Sequence, residues 1–292
     1  MTIDEAKKLD PIKANNLRFK KVFMELGIDK LSIEETKHLK ILDMGCGNGD
    51  FIKYCKKMGI HAVGVTISPE QCHLLKQQNL EVYVGDYRIF YQKFSKKFDI
   101  ITFFGTLEHI TSARPCSNKG VIYENENRRK IFSHCKKYFK QNSIHKKIFT
   151  TTLHINPKYC NKFESYIMER AYGGWYHLDK HGSRLHDKLQ NEGYKLLKSS
   201  DMSIHYYLAS IIDKNHFGNP ACLNIDHTLL LLFSIFINPF LIFMVIYTIF
   251  GIWMWQFDGK KHYCNETYKT MKFENNSDKR PTTLYWSIFT PL

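Results

Sequence analysis

The sequence predicts an α/β fold built on a mostly parallel sheet. From residue 40 onward, apolar strand-like segments alternate with segments whose apolar residues recur at helical spacing. The first of these strands ends in a turn with three glycines, ILDMGCGNGDF at residues 41–51, and a helical pattern follows at once. Strands that alternate with helices form parallel sheets covered on both faces, and ligands bind such sheets at the carboxyl ends of the strands.

The elements follow in order along the chain. An amphipathic helix is predicted over about residues 11–26, with apolar positions at Leu17, Val22, Phe23 and Leu26. Seven strands come next, separated by helices or longer connections. They are KILDMG, HAVGVT, EVYVGD, FDIITFF, KKIFTTTLH, MSIHYYLAS and TTLYWSIF. The glycine turn therefore lies at the ligand-binding edge of the predicted sheet.

The glycine turn has the pattern D-x-G-x-G-x-G, formed by Asp43, Gly45, Gly47 and Gly49. A strand that breaks into glycines before a helix presents free backbone N–H groups to a polar ligand. The carboxylate of Asp43 would repel a pyrophosphate, so the pattern favours a cationic or amine-bearing ligand. S-adenosylmethionine fits this description, and a tight turn without a ligand is the alternative.

Composition limits the environment and the partners of the chain. Lysine and arginine outnumber aspartate and glutamate by 42 to 28, which gives a formal net charge of +14 and favours acidic partners such as anionic lipid or nucleic acid. The eight cysteines form no C-x-x-C pair, which argues against a zinc site and indicates a reducing, intracellular compartment. The first ten residues, MTIDEAKKLD, lack the apolar stretch of a secretory signal.

A basic segment, residues 128–147, contains eight lysines or arginines and no acid. Such a run is either a solvated helix face or a surface that attracts anionic headgroups. Both interpretations stay open from the sequence.

An uncharged segment, residues 228–257, is interrupted at Asn238-Pro239. Two membrane crossings would need about forty apolar residues, more than the segment contains. We therefore expect it to lie on or dip into a membrane without crossing, or to form a buried helix pair that caps an acyl tunnel. The chain then divides into a main domain, residues 1–212 and 276–292, and a helical apolar insertion, residues 213–275.

Several segments together resemble the cyclopropane-fatty-acid synthase family, a branch of the class I S-adenosylmethionine-dependent methyltransferases. In chain order they are ILDMGCGNGDF, VGVTISPEQ, VGDYRIF, FDIITFFGTLEHI and LYWSIF. The resemblance implies a Rossmann-like, seven-stranded, mostly parallel sheet with the apolar insertion before its last strand. That last strand, TTLYWSIF, would run antiparallel to the others.

The resemblance also implies three sets of residues that contact the cofactor. They are Asp43, Gly45, Gly47 and Gly49 at the amino-acid end, Thr66, Ser68 and Gln71 at the ribose, and Asp86 and Tyr87 at the adenine. The sequence agrees at the ribose, because the strand HAVGVT does not end in an acid and a hydroxyl or amide must supply those hydrogen bonds.

In the family that the chain resembles, a methyl group passes to an alkene carbon of an unsaturated acyl chain. The resemblance implies that a bound bicarbonate ion acts as the base. Glu108, His154 and Tyr206 lie at the matching positions, each just past a predicted strand, and are the expected catalytic residues. Family members also carry an earlier segment with a cysteine that closes over the site, which this sequence lacks. The resemblance therefore implies methyl transfer more directly than ring closure.

These features predict an unsaturated lipid or phospholipid substrate, used at an anionic membrane surface by a cytoplasmic protein that is peripherally or re-entrantly associated with the membrane. Methylation of a nitrogen or oxygen of a soluble small molecule is one alternative, and a non-catalytic membrane-bound partner is another. A nucleic-acid amino-methyltransferase would need an N-P-P-Y-like motif where the chain has FFGTLEHI, so nucleic acid is not the expected partner.

Overall fold

The computed structural model of the protein describes residues 8–110, 118–155, 176–177, 185–203, 236, 238 and 282–292. The chain divides into two compact units. The larger unit holds residues 16–201 and 279–292, and the smaller holds residues 1–15 and 202–278. Most of the smaller unit lies outside the described residues, so the apolar insertion predicted at residues 213–275 stays a prediction.

A mixed sheet forms the centre of the larger unit. Its strands are β1 (Lys40–Met44), β2 (His61–Thr66), β3 (Glu81–Val84), β4 (Ile100–Phe104), β5 (Lys147–Ile155), β6 (Tyr176–His177), β7 (Tyr194–Asp201) and β8 (Thr282–Pro291). Seven of them lie in the order β3-β2-β1-β4-β5-β8-β7, and the two-residue β6 pairs with β5. Neighbours from β3 to β5 are parallel, whereas β8 is antiparallel to both β5 and β7. The predicted α/β sheet and its antiparallel last strand are confirmed.

Six α-helices accompany these strands in the described parts of the chain. They are α1 (Pro11–Leu26), α2 (Ile33–His38), α3 (Asp50–Lys57), α4 (Pro69–Gln77), α5 (Asn118–Tyr138) and α6 (Leu185–Gln190). The helix predicted over residues 11–26 is therefore confirmed. Its Val22, Phe23 and Leu26 are buried, whereas Leu17 is exposed to solvent.

Local sequence signals fix where α4 begins, and this helix borders the glycine turn. Ser68 has extended backbone and its hydroxyl accepts a hydrogen bond from the Gln71 N–H at 3.2 Å, which satisfies a free donor of the first helical turn. Pro69 occupies the first helical position, where a missing N–H costs nothing. The segment VTISPEQ thus contains its own strand-to-helix transition.

The two faces of the sheet are packed by different helices. Phe103 and Phe104 are consecutive in β4 and point to opposite faces, as the two-residue period of a strand requires. The Phe103 ring lies 5.9 Å from that of Phe132 in α5, and the Phe104 ring lies 4.7 Å from that of Phe51 in α3. Helix α1 joins α3, because Phe19 packs 5.3 Å from Phe51.

The sixth predicted strand, MSIHYYLAS, does not coincide with the strand described in this part of the chain. The described strand is β7, residues 194–201, and it ends before Met202. β7 has the sequence YKLLKSSD and lies at the edge of the sheet, where one side is solvated, so its strand residues are partly polar and exposed. The apolar pattern therefore indicated the segment after β7, residues 202–210. Residues 204–210 of it lie outside the described part.

Three of the eight basic residues in the segment 128–147 make internal contacts. Arg128 is buried, and its guanidinium pairs with the carboxylates of Glu124 at 3.2 Å and Glu192 at 3.4 Å. The Lys140 ammonium pairs with buried Asp99, and the Lys147 ammonium donates to the Leu26 carbonyl at 2.6 Å. These bonds tie α5 and β5 to neighbouring elements, so only part of the eight charges faces outward.

Candidate functional site

The glycine turn joins β1 to α3 at the carboxyl edge of the sheet. Gly45, Gly47 and Gly49 have φ values of +87°, +52° and +73°, in the left-handed region that favours glycine. The N–H groups of Gly45 and Cys46 both donate to the Val65 carbonyl, at 2.8 and 2.9 Å. The turn is therefore fixed against β2 before any ligand binds.

The three glycines of the turn face different surroundings. A Cβ on Gly45 would lie 2.3 Å from Thr106 Cγ2, and a Cβ on Gly49 would lie 2.6 Å from Leu75 Cδ2. A Cβ on Gly47 would meet nothing within 4 Å. Gly45 and Gly49 are thus required by packing, whereas Gly47 borders open space that a ligand can approach closely.

Asp43 lies one residue before the end of β1 and is 1% exposed. Its neighbour across the sheet is Thr102, whose hydroxyl donates to Asp43 Oδ1 at 2.8 Å. Burial raises the pKa of Asp43 to about 7, against the opposing effects of the Thr102 hydrogen bond and the charge of Arg18. The carboxyl of Asp43 is therefore poised to ionise fully when a positive group comes near.

The predicted ribose residues are joined by hydrogen bonds. The Thr66 hydroxyl donates to Gln71 Oε1 at 2.8 Å, and Gln71 Nε2 donates to Asn48 Oδ1 at 3.3 Å. This chain links the end of β2, the start of α4 and the glycine turn. Ser68 differs, because its hydroxyl caps α4 and also donates to Glu70 at 2.8 Å. Asn48 was not among the predicted site residues, although its position between two glycines of the turn could have indicated it.

The predicted adenine residues lie after β3 in two different settings. Asp86 accepts hydrogen bonds from the Arg88 backbone N–H and from its Nε, both at 2.8 Å. Burial of Asp86 opposes ionisation, but the Arg88 hydrogen bonds and charge hold its pKa below the usual value. The Tyr87 hydroxyl donates to the Thr106 carbonyl at 2.6 Å, and burial raises its pKa.

Thr106 connects these parts of the site, and the sequence analysis did not single it out. Its hydroxyl donates to the Met44 carbonyl at 3.1 Å, its methyl group fills the space beside Gly45, and its carbonyl receives the Tyr87 hydroxyl. Thr106 belongs to the GTLEHI segment after β4, so contact with β1 and the β3 loop depends on the strand order.

Two exposed apolar side chains border the same edge. Ile67 follows β2 and is 74% exposed, and Val84 ends the neighbouring β3 and is 49% exposed. Such side chains provide an apolar wall for a flat ring system. Ile67 was not among the predicted site residues, although an apolar residue between the end of a strand and the cap of a helix indicates such an apolar wall.

Glu108 fills a gap in the sheet. Pairing of β4 with β5 ends at Phe104 and Thr151, and β6 takes over that side of β5 from His154. Between them, the Leu153 N–H donates to Glu108 Oε1 at 2.7 Å. Glu108 Oε2 is buried without a hydrogen-bond partner among the described residues. Burial raises the pKa of this carboxyl to about 7, against the lowering effect of the backbone hydrogen bonds.

His154 is the next residue of β5 and is also buried. Its Nε2 accepts a hydrogen bond from the Leu185 N–H at 3.2 Å, at the first residue of α6, so this nitrogen carries no proton. The ring lies 5.2 Å from that of Tyr285. Glu108 thus contacts β5 at Leu153, one residue before His154, while Tyr206 lies outside the described residues.

Fold and site together define a class I methyltransferase, with a glycine turn at the end of the first strand and an antiparallel last strand. A family model described as a methyltransferase domain matches residues 17–198, more than half of the chain. The protein therefore belongs to this methyltransferase family and uses S-adenosylmethionine. None of the curated proteins matches the chain.

Three solved structures illustrate the likeness in fold. A coclaurine N-methyltransferase bound to S-adenosylhomocysteine is 11% identical, with a TM-score of 0.61 over 94% of this chain and 72% of the other. A cyclopropane synthase from Mycobacterium tuberculosis is 13% identical, with a TM-score of 0.57 over 93% and 83%. A geranyl diphosphate C-methyltransferase from Streptomyces coelicolor is 11% identical, with a TM-score of 0.51 over 88% and 72%. These enzymes methylate different acceptors, so the likeness leaves the acceptor of this protein open.

Membrane association, expected from the sequence, depends on segments that are mostly not described. Of residues 228–257, only Phe236 and Asn238 are described. Within the described parts, no helix has both the length and the apolar composition needed to cross a bilayer.

Proposed function

We propose that the protein transfers the methyl group of S-adenosylmethionine to a carbon of an unsaturated lipid acyl chain. The observation that carries this proposal is the buried, half-bonded carboxyl of Glu108. It lies just past β4, whose neighbour β1 leads into the glycine turn. The sequence resemblance supports the same acceptor, because the segment GTLEHI contains Glu108 at the family position.

The chemistry needs a group that handles a proton in apolar surroundings. Bound S-adenosylmethionine supplies an electrophilic methyl group on its sulfonium. Transfer of that methyl to an alkene would break its bond to sulfur, release S-adenosylhomocysteine and leave a positive charge on the acyl chain, which would be lost when a proton leaves. With a pKa of about 7, Glu108 can hold a proton or accept one near neutral pH. In its protonated form it can donate to bicarbonate, the base that the resemblance implies.

The other two residues of the proposed catalytic set act beside Glu108. His154 accepts the Leu185 N–H at Nε2 and so holds the start of α6 against the end of β5. Tyr206 follows β7 along the chain, and its hydroxyl would donate to the anion. Among the nine proposed cofactor contacts, the open space before Gly47 gives the most direct support, since it allows a ligand to approach the backbone.

Transfer of a labelled methyl group tests the acceptor. Purified protein is incubated with S-adenosylmethionine tritiated in its methyl group, a total lipid extract and a pool of soluble metabolites; the remaining cofactor is then removed, and the label is measured in the organic and aqueous phases. The proposal predicts label in the lipid phase. Label in the aqueous phase would instead support N- or O-methylation of a small molecule, and the absence of transfer would support a non-catalytic role.

The variant Glu108→Gln tests the role of the carboxyl. Glutamine keeps an oxygen for the Leu153 N–H but cannot exchange a proton, so we expect cofactor affinity to be kept and turnover to fall by about 100-fold or more. Full turnover in this variant would contradict the proposed role of Glu108.

A further inference from the structure

We propose that one face of helix α1, formed by Leu17, Lys20, Lys21 and Met24, docks the protein on an anionic phospholipid bilayer. We call these four residues the α1 outer face. The inference rests on the proposed function, because an acceptor carbon in a lipid acyl chain has to be reached at a membrane. It assigns the membrane contact to a helix that lies outside both the basic segment and the uncharged segment of the sequence.

The α1 outer face contains two apolar side chains that the core does not use. Positions 17, 20, 21 and 24 follow the spacing of one side of a helix. The opposite side of α1 is buried and consists of Phe19, Val22, Phe23 and Leu26. Leu17 is 50% exposed and Met24 is 55% exposed, although both are large and apolar. Helix α1 therefore has a second apolar stripe, which points away from the sheet.

Lysines accompany these apolar side chains. Residues 17–24 have the sequence LRFKKVFM, which contains no acid. Lys20 is exposed and makes no ion pair with any of the described residues. The Lys21 ammonium lies 3.9 Å from the Glu25 carboxylate, which also pairs with Lys198, so the surface keeps a positive charge. Exposed apolar residues flanked by lysines are typical of helices that lie in the headgroup region of an anionic membrane.

The neighbouring helix α3 continues the same pattern. It packs beside α1, because the Phe23 ring lies 5.1 Å from the Tyr54 ring. Helix α3 ends in two lysines, of which Lys57 is exposed, and the next residue, Met58, is 50% exposed. A second methionine beside a lysine therefore extends the basic and apolar surface beyond α1.

Both helices lie next to the elements that carry the site. Helix α3 begins directly after Gly49, the last glycine of the glycine turn. On α1, the Phe19 ring lies 5.9 Å from that of Phe104, the last residue of β4, and the segment GTLEHI with Glu108 follows Phe104 in the chain. A bilayer at the α1 outer face would therefore lie beside the elements that lead to the glycine turn and to Glu108.

The end of α5 provides a matched control. Lys136 and Lys137 are also two adjacent exposed lysines of a helix, and α5 packs on the opposite face of the sheet. The exposed large apolar residue among the described side chains of α5 is Ile122, near the start of the helix. The end of α5 therefore offers the same charge as the α1 outer face without its apolar side chains.

Flotation with phospholipid vesicles tests the α1 outer face. The purified protein is mixed with vesicles of equal parts phosphatidylcholine and phosphatidylglycerol, or of phosphatidylcholine alone. We expect binding to the anionic vesicles, and about 10-fold weaker binding for Leu17→Gln/Met24→Gln and for Lys20→Gln/Lys21→Gln. The control Lys136→Gln/Lys137→Gln should bind like the wild type. Glutamine is a good helix former, so all three variants should keep the wild-type affinity for S-adenosylhomocysteine in calorimetry.

Three results would overturn the docking surface. They are a wild type that does not bind anionic vesicles, an unchanged affinity of Leu17→Gln/Met24→Gln for them, and a loss in the α5 control as large as in Lys20→Gln/Lys21→Gln. Methyl transfer to the acyl chains of the same vesicles separates this inference from the proposed function. Docking through α1 without any methyl transfer to lipid would overturn the proposed function alone. Transfer to lipid that both α1 variants retain at the wild-type rate would overturn the docking surface alone.

Discussion

Gly47 and Gly59 both have a left-handed backbone conformation, but they lie in different connections of the fold. Both have positive φ, +52° at Gly47 and +74° at Gly59, and an added Cβ would meet nothing within 4 Å at either position. Gly47 lies in the turn after β1, whereas Gly59 follows α3 in the connection to β2. Alanine variants at the two positions therefore separate the effect of backbone strain on stability from steric obstruction of a ligand.

The prediction concerns Gly47→Ala and Gly59→Ala. Because φ is +52° at Gly47 and +74° at Gly59, alanine is strained at both, and each variant should lose about 1 kcal/mol of unfolding free energy. Only Gly47→Ala should also lose affinity for S-adenosylhomocysteine, by about 10-fold or more, since its Cβ enters the space that the ligand approaches. Calorimetry and thermal denaturation of both variants measure the two effects. Equal ligand affinity in the two variants would show that the cofactor does not approach Gly47.

Glu108 should make the stability of the protein depend on pH. Burial raises its pKa in the folded protein to about 7 from the ordinary value of 4.5. Between these pH values the folded protein keeps a proton that the unfolded chain releases, so the stability that Glu108 contributes falls as the pH rises from about 4.5 to about 7. Burial of Asp43, whose pKa is also raised to about 7, adds a change of the same sign.

The comparison of wild type and Glu108→Gln isolates the Glu108 effect, because Asp43 is common to both proteins. Relative to the variant, the wild type should lose roughly 2–3 kcal/mol of unfolding free energy between about pH 5 and about pH 7. Urea denaturation at several pH values measures this difference. A difference that stays constant with pH would mean that Glu108 does not keep its proton in the folded state.

At the scale of elements, a buried ion-pair cluster ties α5 to the region between α6 and β7. Arg128 of α5 contacts Glu124 and Glu192, and the Lys188 ammonium of α6 contacts Glu124 at 2.9 Å. Removal of one partner from such a cluster leaves the others buried without full compensation. The neighbouring Arg129 also contacts Glu192, at 3.5 Å, but its side chain is mostly exposed.

These two arginines give a matched pair of variants. Arg128→Ala should lower the free energy of unfolding by about 3 kcal/mol, because it removes a buried charge from the cluster and leaves the buried carboxylate of Glu124 with Lys188 as its remaining charged contact. Arg129→Ala should change it by less than about 1 kcal/mol, because exposed ion pairs contribute little. Denaturant unfolding of both variants measures the contrast. Similar small losses in both would show that the cluster contributes as little as a surface pair.

At the scale of the whole molecule, local patterns predicted the fold better than the site. β1, β2 and β4 are buried, mostly apolar strands, β5 has an apolar pair after its first residue and continues in threonines of high strand propensity, and the turn after β1 is marked by its glycines, so nearby residues identify them. β7 is half polar because it lies at the sheet edge, and no apolar pattern identifies it. The contacts of Thr106 with Met44 and of Glu108 with Leu153 join residues that are distant in the chain. They follow from strand order and register, which a single sequence does not display.

The most direct measurement of the central claim is the position of the transferred methyl group. Wild-type protein is incubated with S-adenosylmethionine that carries a trideuterated methyl group and with vesicles of an unsaturated, anionic phospholipid, and the released fatty acids are analysed by mass spectrometry. We predict deuterium in the acyl chain, with two deuterium atoms retained if a ring closes and three if a methyl branch forms. Acyl chains without deuterium, together with labelled headgroups or a labelled soluble product, would contradict the account.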